Sequence, residues 1–75
     1  MQLSDIKEGC SAIIDHVGGN TNLRRRLHEM GIIKGSNVYI DKYAPLRDPI
    51  ELIIMGYHIS LRVEEAQQIS VKIVK

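Results

Sequence analysis

Apolar and polar positions along this chain fall into five short alternating stretches and one stretch with helical spacing. Leu3, Ile6 and Gly9 read as a lead-in turn. β-Branched content, and the alternation of Ala12 and Ile14 with Ile13 and Val17, predict a first strand over 10–17 that ends at Gly18-Gly19. A helix follows over about 21–30, because Leu23, Leu27 and Met30 fall at i, i+4 and i+7. Asn20 or Thr21 can cap its free N–H groups. Gly31 stands where a left-handed residue ends a helix, and Ile32 occupies the position that packs back on Leu27 in a Schellman-type ending.

Lys34-Gly35 predicts a turn, after which Val38 and Ile40 open a second strand. Residues 43–49 form a loop, since Pro45 and Pro49 cannot both sit in a central strand. Ile50, Leu52 and Ile54 alternate with Glu51, Ile53 and Met55 in a third strand, apolar on both faces at its end and therefore central or doubly covered. Gly56-Tyr57 suits a tight hairpin with Gly at the first central position. Ile59 and Leu61 form the return strand. Residues 63–68 make one helical turn, and Ile69, Val71 and Ile73 make the last strand. Five short strands at this spacing predict a mainly β fold, a small closed five-stranded barrel with one inserted helix and a helical turn. Closure would also remove the edges that make so apolar a sheet aggregate.

At 75 residues the chain is one domain, 1–75, that buries only about 60–65% of its unfolded surface. It has no Trp or Phe and three Tyr, so its core is aliphatic. The one cysteine, Cys10, forms no internal disulfide; it fits a reducing compartment and reads as a small buried strand residue. The start lacks a basic, apolar leader, and the longest apolar run, 52–55, is too short to cross a bilayer. These features predict a cytoplasmic protein with no membrane insertion.

A net charge of +1 argues against a nucleic-acid binder, and no aromatics are interleaved with the basic residues to stack on bases. No nucleophile-elbow pattern and no phosphate-binding GxxxxGK[ST] occurs, so no catalytic residue or cofactor-binding motif stands out and the chain does not read as an enzyme. The absence of Trp and Phe also removes the aromatic groove that binds polyproline. Two features point to partner binding. Arg24, Arg25 and Arg26 fan across roughly 200° of the helix, at about 100° per residue. Arg24 and Arg25, with His28, lie off the apolar stripe, as a solvated face on which Arg25 can pair with Glu29 or as a cationic surface for an acidic patch or a phosphate. Leu46 and Arg47 sit in a loop stiffened by two prolines, where Leu46 either anchors an interface or folds inward to plug the barrel.

Four segments stand in a recognisable order: residues 3–9; Arg26-Leu27-His28-Glu29-Met30-Gly31-Ile32 with Gly35; Ala44-Pro45-Leu46-Arg47-Asp48-Pro49-Ile50; and Ile59-Ser60-Leu61-Arg62 followed by Glu65-Ala66, Ile69 and Val71. Together they resemble the FeoA family of bacterial ferrous iron uptake. Lys34 and Arg47 stand where the family often has Pro and Gly. The resemblance implies an SH3-like barrel with a helix after the first strand. It implies a free-standing, non-enzymatic accessory protein that docks on the cytosolic part of FeoB, the GTP-dependent membrane iron transporter, and modulates it. Arg24, Arg25, His28, Leu46 and Arg47 are then the expected docking residues, and self-association through the Leu46 loop is open. The alternatives are a module that binds or senses ferrous iron, or a regulatory domain like that of metal-dependent repressors. Against the first, Cys10, His16, His28 and His58 show no ligand spacing, so no metal site or cofactor is assigned.

Overall fold

Alternating aliphatic residues build five antiparallel strands, and a computed structural model describes residues 1–73. The strands are β1 (Ser11–Val17), β2 (Asn37–Tyr43), β3 (Ile50–Ile54), β4 (Tyr57–Leu61) and β5 (Ile69–Ile73). Helix α1 (Thr21–Glu29) follows β1, and a one-turn helix α2 (Val63–Ala66) links β4 to β5. The sheet order is β4-β3-β2-β1-β5, which places β3 inside the sheet as its apolar content requires. Ala12, Ile14, Val38, Ile40, Ile50, Leu52, Ile54, Leu61, Ile69 and Val71 point inward and are buried. Leu3 and Ile6 from the lead-in, Leu27 from α1, Ile32 and Ala66 complete one core.

The sheet is not closed. Its two outer strands, β4 and β5, do not pair with each other, which corrects the expected closed barrel. Bulges between Ile14 and His16 and between Ile40 and Lys42 coil the sheet around its core. Side chains rather than ladder hydrogen bonds then fill the seam, with buried Leu61, Ala66 and Ile69 spanning the β4–α2–β5 connection. The outer edge of β5 is partly covered by the lead-in: Gln2 bridges Ser70, and the Val71 N–H donates to the Met1 carbonyl at 2.8 Å.

Local signals set α1 closely. The Leu23 N–H donates to Asn20 Oδ1 at 2.8 Å, so Asn20 is the cap. Gly31 has φ +90°; its N–H donates to the His28 carbonyl and the Ile32 N–H to that of Leu27, both at 3.0 Å, which is the Schellman pattern. Asn20→Ala is expected to lower the unfolding free energy by about 1 kcal/mol, read as a shift in the urea midpoint without a change in slope.

Two local expectations need correction. The β3–β4 hairpin turns on Met55 and Gly56, not Gly56 and Tyr57: Ile54 pairs with Tyr57, and both turn residues have positive φ. This suits a two-residue turn in which both positions are left-handed, with Gly at the second. Cys10 is exposed and precedes β1, because β1 joins the inward alternation only at Ala12.

Candidate functional site

Helix α1 lies on the sheet through Leu27, with Leu23 and Met30 packed at the rim of the core. Its other side exposes Arg24, Arg25 and His28. The three consecutive arginines do separate as helical geometry demands. Arg26 turns toward α2 and forms an ion pair with Glu65, whereas Arg24 and Arg25 face a cleft against β1. The Arg25–Glu29 pair that the spacing suggests does not form; among the described residues the ion pairs are Arg26–Glu65, Lys42–Glu51, Arg62–Asp48 and Lys72–Asp15. An exposed i,i+4 pair is worth only about 0.3–0.5 kcal/mol, little enough for solvent to compete.

The cleft, of 660 Å³, has one wall from α1 (Thr21, Arg24, Arg25, His28) and one from β1 and the segment after the helix (Asp15, His16, Val17, Ile32, Ile33, Lys34). The second wall is held by two backbone bonds, from the Gly35 N–H to the Ile14 carbonyl at 2.8 Å and from the Ile14 N–H to the Ser36 carbonyl at 2.9 Å. His16, Ile33 and Lys34 are the residues that sequence reasoning missed here. His16 is carried by β1 itself, and Ile33 and Lys34 join it through the Gly31 reversal, which folds the chain back beside β1.

Leu46 lies elsewhere. The 44–49 loop leaves the C-terminal end of β2, whereas α1 leads into its N-terminal end. Seven residues of β2 set the two surfaces roughly 20 Å apart. The loop base is closed by the Ala44 N–H donating to the Pro49 carbonyl at 3.0 Å, and by Asp48, which accepts from the Val63 N–H at 3.2 Å and lies 3.9 Å from Arg62. Beneath it, Tyr43 donates its N–H to Glu8 at 2.7 Å and its hydroxyl to the Ile6 carbonyl, tying the lead-in to β2. On this base Leu46 is 98% exposed with φ +69°. It is not a plug for the barrel. The side chain of Arg47 lies outside the described residues.

No group of three or more His, Cys, Asp or Glu that could hold a metal ion occurs among the described residues. His16 and His28 share the cleft, while His58 lies on β4 and Cys10 ahead of β1. No helix among them is long and apolar enough to cross a membrane.

The chain matches the FeoA domain over residues 1–73. It is 40% identical over 74 residues to the Fe(2+) transport protein A/Fe(2+) transporter FeoB fusion protein of Porphyromonas gingivalis. That alignment takes in 99% of this chain but 9% of the fusion protein, so the chain spans a small part of that relative's length. The solution structure of FeoA from Chlorobium tepidum superposes with a TM-score of 0.95 at 36% identity, over 100% of this chain and 71% of that one. The zinc-complexed FeoA of Stenotrophomonas maltophilia, described as a prokaryotic SH3 domain protein, gives a TM-score of 0.84 at 29% identity, over 96% and 89% of the two chains. The expected SH3-like architecture is therefore the observed one, apart from its open seam.

Proposed function

Because this chain belongs to the FeoA domain family, we propose that it is a non-enzymatic, cytosolic accessory protein of ferrous iron uptake, one that docks on the cytosolic part of a FeoB-type transporter and modulates it. One observation carries the reading: the P. gingivalis relative joins a domain 40% identical to this chain with FeoB in one fusion protein. A covalent tether holds two domains at high effective concentration, commonly millimolar for short linkers. Whether tethered or not, the domain engages its partner through its own surfaces.

Leu46 and Arg47 at the loop tip, and Arg24, Arg25 and His28 on α1, are the docking residues in this proposal. Full burial of a leucine is worth about 1.5–3 kcal/mol, enough to anchor a small interface. The prolines on either side of Leu46 hold it in place before contact, so little entropy is lost on binding. The membrane-spanning part of the machinery belongs, on this reading, to the partner.

The test is retention of the transporter's cytosolic domain on immobilised protein, with and without GTP and ferrous iron. Wild-type protein is expected to retain it, and Leu46→Asp or the double variant Arg24→Glu/Arg25→Glu to lower affinity by about tenfold or more. Retention unchanged in both variants, or absent under every condition with wild-type protein, would show the docking assignment to be wrong.

A further inference from the structure

Charge in this protein is segregated in a way that its net value of +1 hides. The walls of the α1–β1 cleft carry Arg24, Arg25 and Lys34, none of which has a carboxylate partner among the described residues, and the two imidazoles of His16 and His28. Its one acidic residue, Asp15, is 3.6 Å from Lys72 and already engaged. The other three ion pairs, Arg26–Glu65, Lys42–Glu51 and Arg62–Asp48, lie outside it. The same walls carry three apolar residues: Ile32 is buried, Val17 is half-buried, and Ile33 is 40% exposed although it directly follows a core residue.

We propose that this cleft seats an extended, acidic segment of the partner protein, with carboxylates facing α1 and an aliphatic side chain resting on Ile33. The proposal rests on the docking reading above and names the chemistry of the partner surface that meets it. Arg24 and His28, four residues apart on a helix, are separated by about 6 Å along its axis. Alternate residues of an extended chain are about 6.6 Å apart, so carboxylates at every second position match that rise. The intervening side chains of such a segment point to the opposite wall, where Ile33 and Val17 lie.

Phosphate recognition fits less well. The Leu23 N–H is taken by Asn20 and the Gly18 N–H donates to the Gln68 carbonyl at 2.7 Å, so two of the backbone donors around the helix start are already engaged within the chain. A phosphate would also leave the apolar residues of the walls in water. No aromatic residue lines the cleft to stack on a base.

The test uses two fluorescein-labelled peptides, one alternating glutamate with leucine and one alternating lysine with leucine, read by anisotropy, with the transporter's cytosolic domain in parallel. The glutamate peptide is expected to bind and the lysine peptide not. Arg24→Glu/Lys34→Glu should weaken the glutamate peptide by about tenfold or more. Ile33→Ser should weaken it by a few-fold, and Lys42→Glu, a charge change outside the cleft, should leave it unaltered. Circular dichroism on each variant separates lost binding from lost folding. Equal binding of both peptides, no effect of Arg24→Glu/Lys34→Glu, or equal displacement by inorganic phosphate would each overturn the inference, the last in favour of a phosphate site. If the transporter domain is retained equally by wild type and cleft variants, docking stands and the cleft is not its seat. Peptide binding that depends on the cleft, with no retention of the domain, keeps the cleft and removes the transporter as its partner.

Discussion

Replacing Leu46 by glycine is expected to weaken docking without weakening the fold. Leu46 holds φ +69° and ψ 13°, the left-handed region in which a β-carbon costs roughly 1–2 kcal/mol. Glycine relieves that cost, while its greater freedom in the unfolded chain takes back about 0.5–1 kcal/mol. No packing is lost, because the side chain is almost wholly in solvent. The unfolding free energy should therefore stay level or rise by up to about 1.5 kcal/mol. Binding of the transporter's cytosolic domain should fall by about tenfold to a hundredfold, the equivalent of one buried leucine. Urea unfolding and titration of the domain on the same preparation read both quantities. A drop in stability of more than about 1 kcal/mol would make Leu46 a structural residue. Unchanged affinity would remove it from the interface.

Leu46 is proposed as an anchor on the combination of strain and exposure. An exposed apolar residue alone is ordinary. At Leu46 the same side chain is out of the core, on a backbone conformation that favours glycine, over a loop base closed by Ala44, Pro49 and Asp48. Met55 shares the positive φ and the exposure, but a two-residue hairpin demands that conformation for its own geometry. The 44–49 loop is longer, with four residues inside the Ala44–Pro49 hydrogen bond, so the two-residue hairpin geometry is not what sets the conformation of Leu46.

Features decided within a few residues could be read from the chain: the Leu23/Leu27/Met30 stripe, the Asn20 cap, the Gly31–Ile32 ending, and the inward positions of β1, β2 and β3. Each depends on period, cap chemistry or a glycine at one position. Features decided by long-range placement could not. The open seam depends on where two bulges coil the sheet, and neither bulge has a glycine to mark it. Arg26 looks like its two neighbours until α2 brings Glu65 beside it. The exposure of Leu46 could be framed only as a choice between anchor and plug, since proline stiffness fixes a loop's shape but not its direction. Half of the cleft was legible as arginines on a helix. The other half arises because the Gly31 reversal and the Gly35–Ile14 bond set Ile33 and Lys34 against β1, which carries His16.

Leu27→Ala is expected to have the largest effect on stability of any single change in α1. Leu27 is fully buried and is the one residue of that helix inside the core; Leu23 and Met30 only border it. Truncating such a leucine costs about 2–5 kcal/mol, from lost transfer free energy and the cavity left behind. A chain of this size has roughly 4–11 kcal/mol in total, so the variant should be near its unfolding midpoint at modest temperature. Arg24, Arg25 and His28 are held against β1 only through the helix that Leu27 fixes, and the cleft should be lost with it. Leu27→Met, which keeps the volume, should cost less than about 1.5 kcal/mol and keep binding. Urea unfolding gives the two free energies. Amide exchange in α1 shows how the loss is distributed: the buried position of Leu27 among Ile14, Ile32 and Ile54 in one core predicts that helix and sheet exchange together in Leu27→Ala. Faster exchange confined to α1, with β1–β3 still protected as in wild type, would mean that the sheet folds without the helix. The basic wall of the cleft would then be a detachable part of the fold.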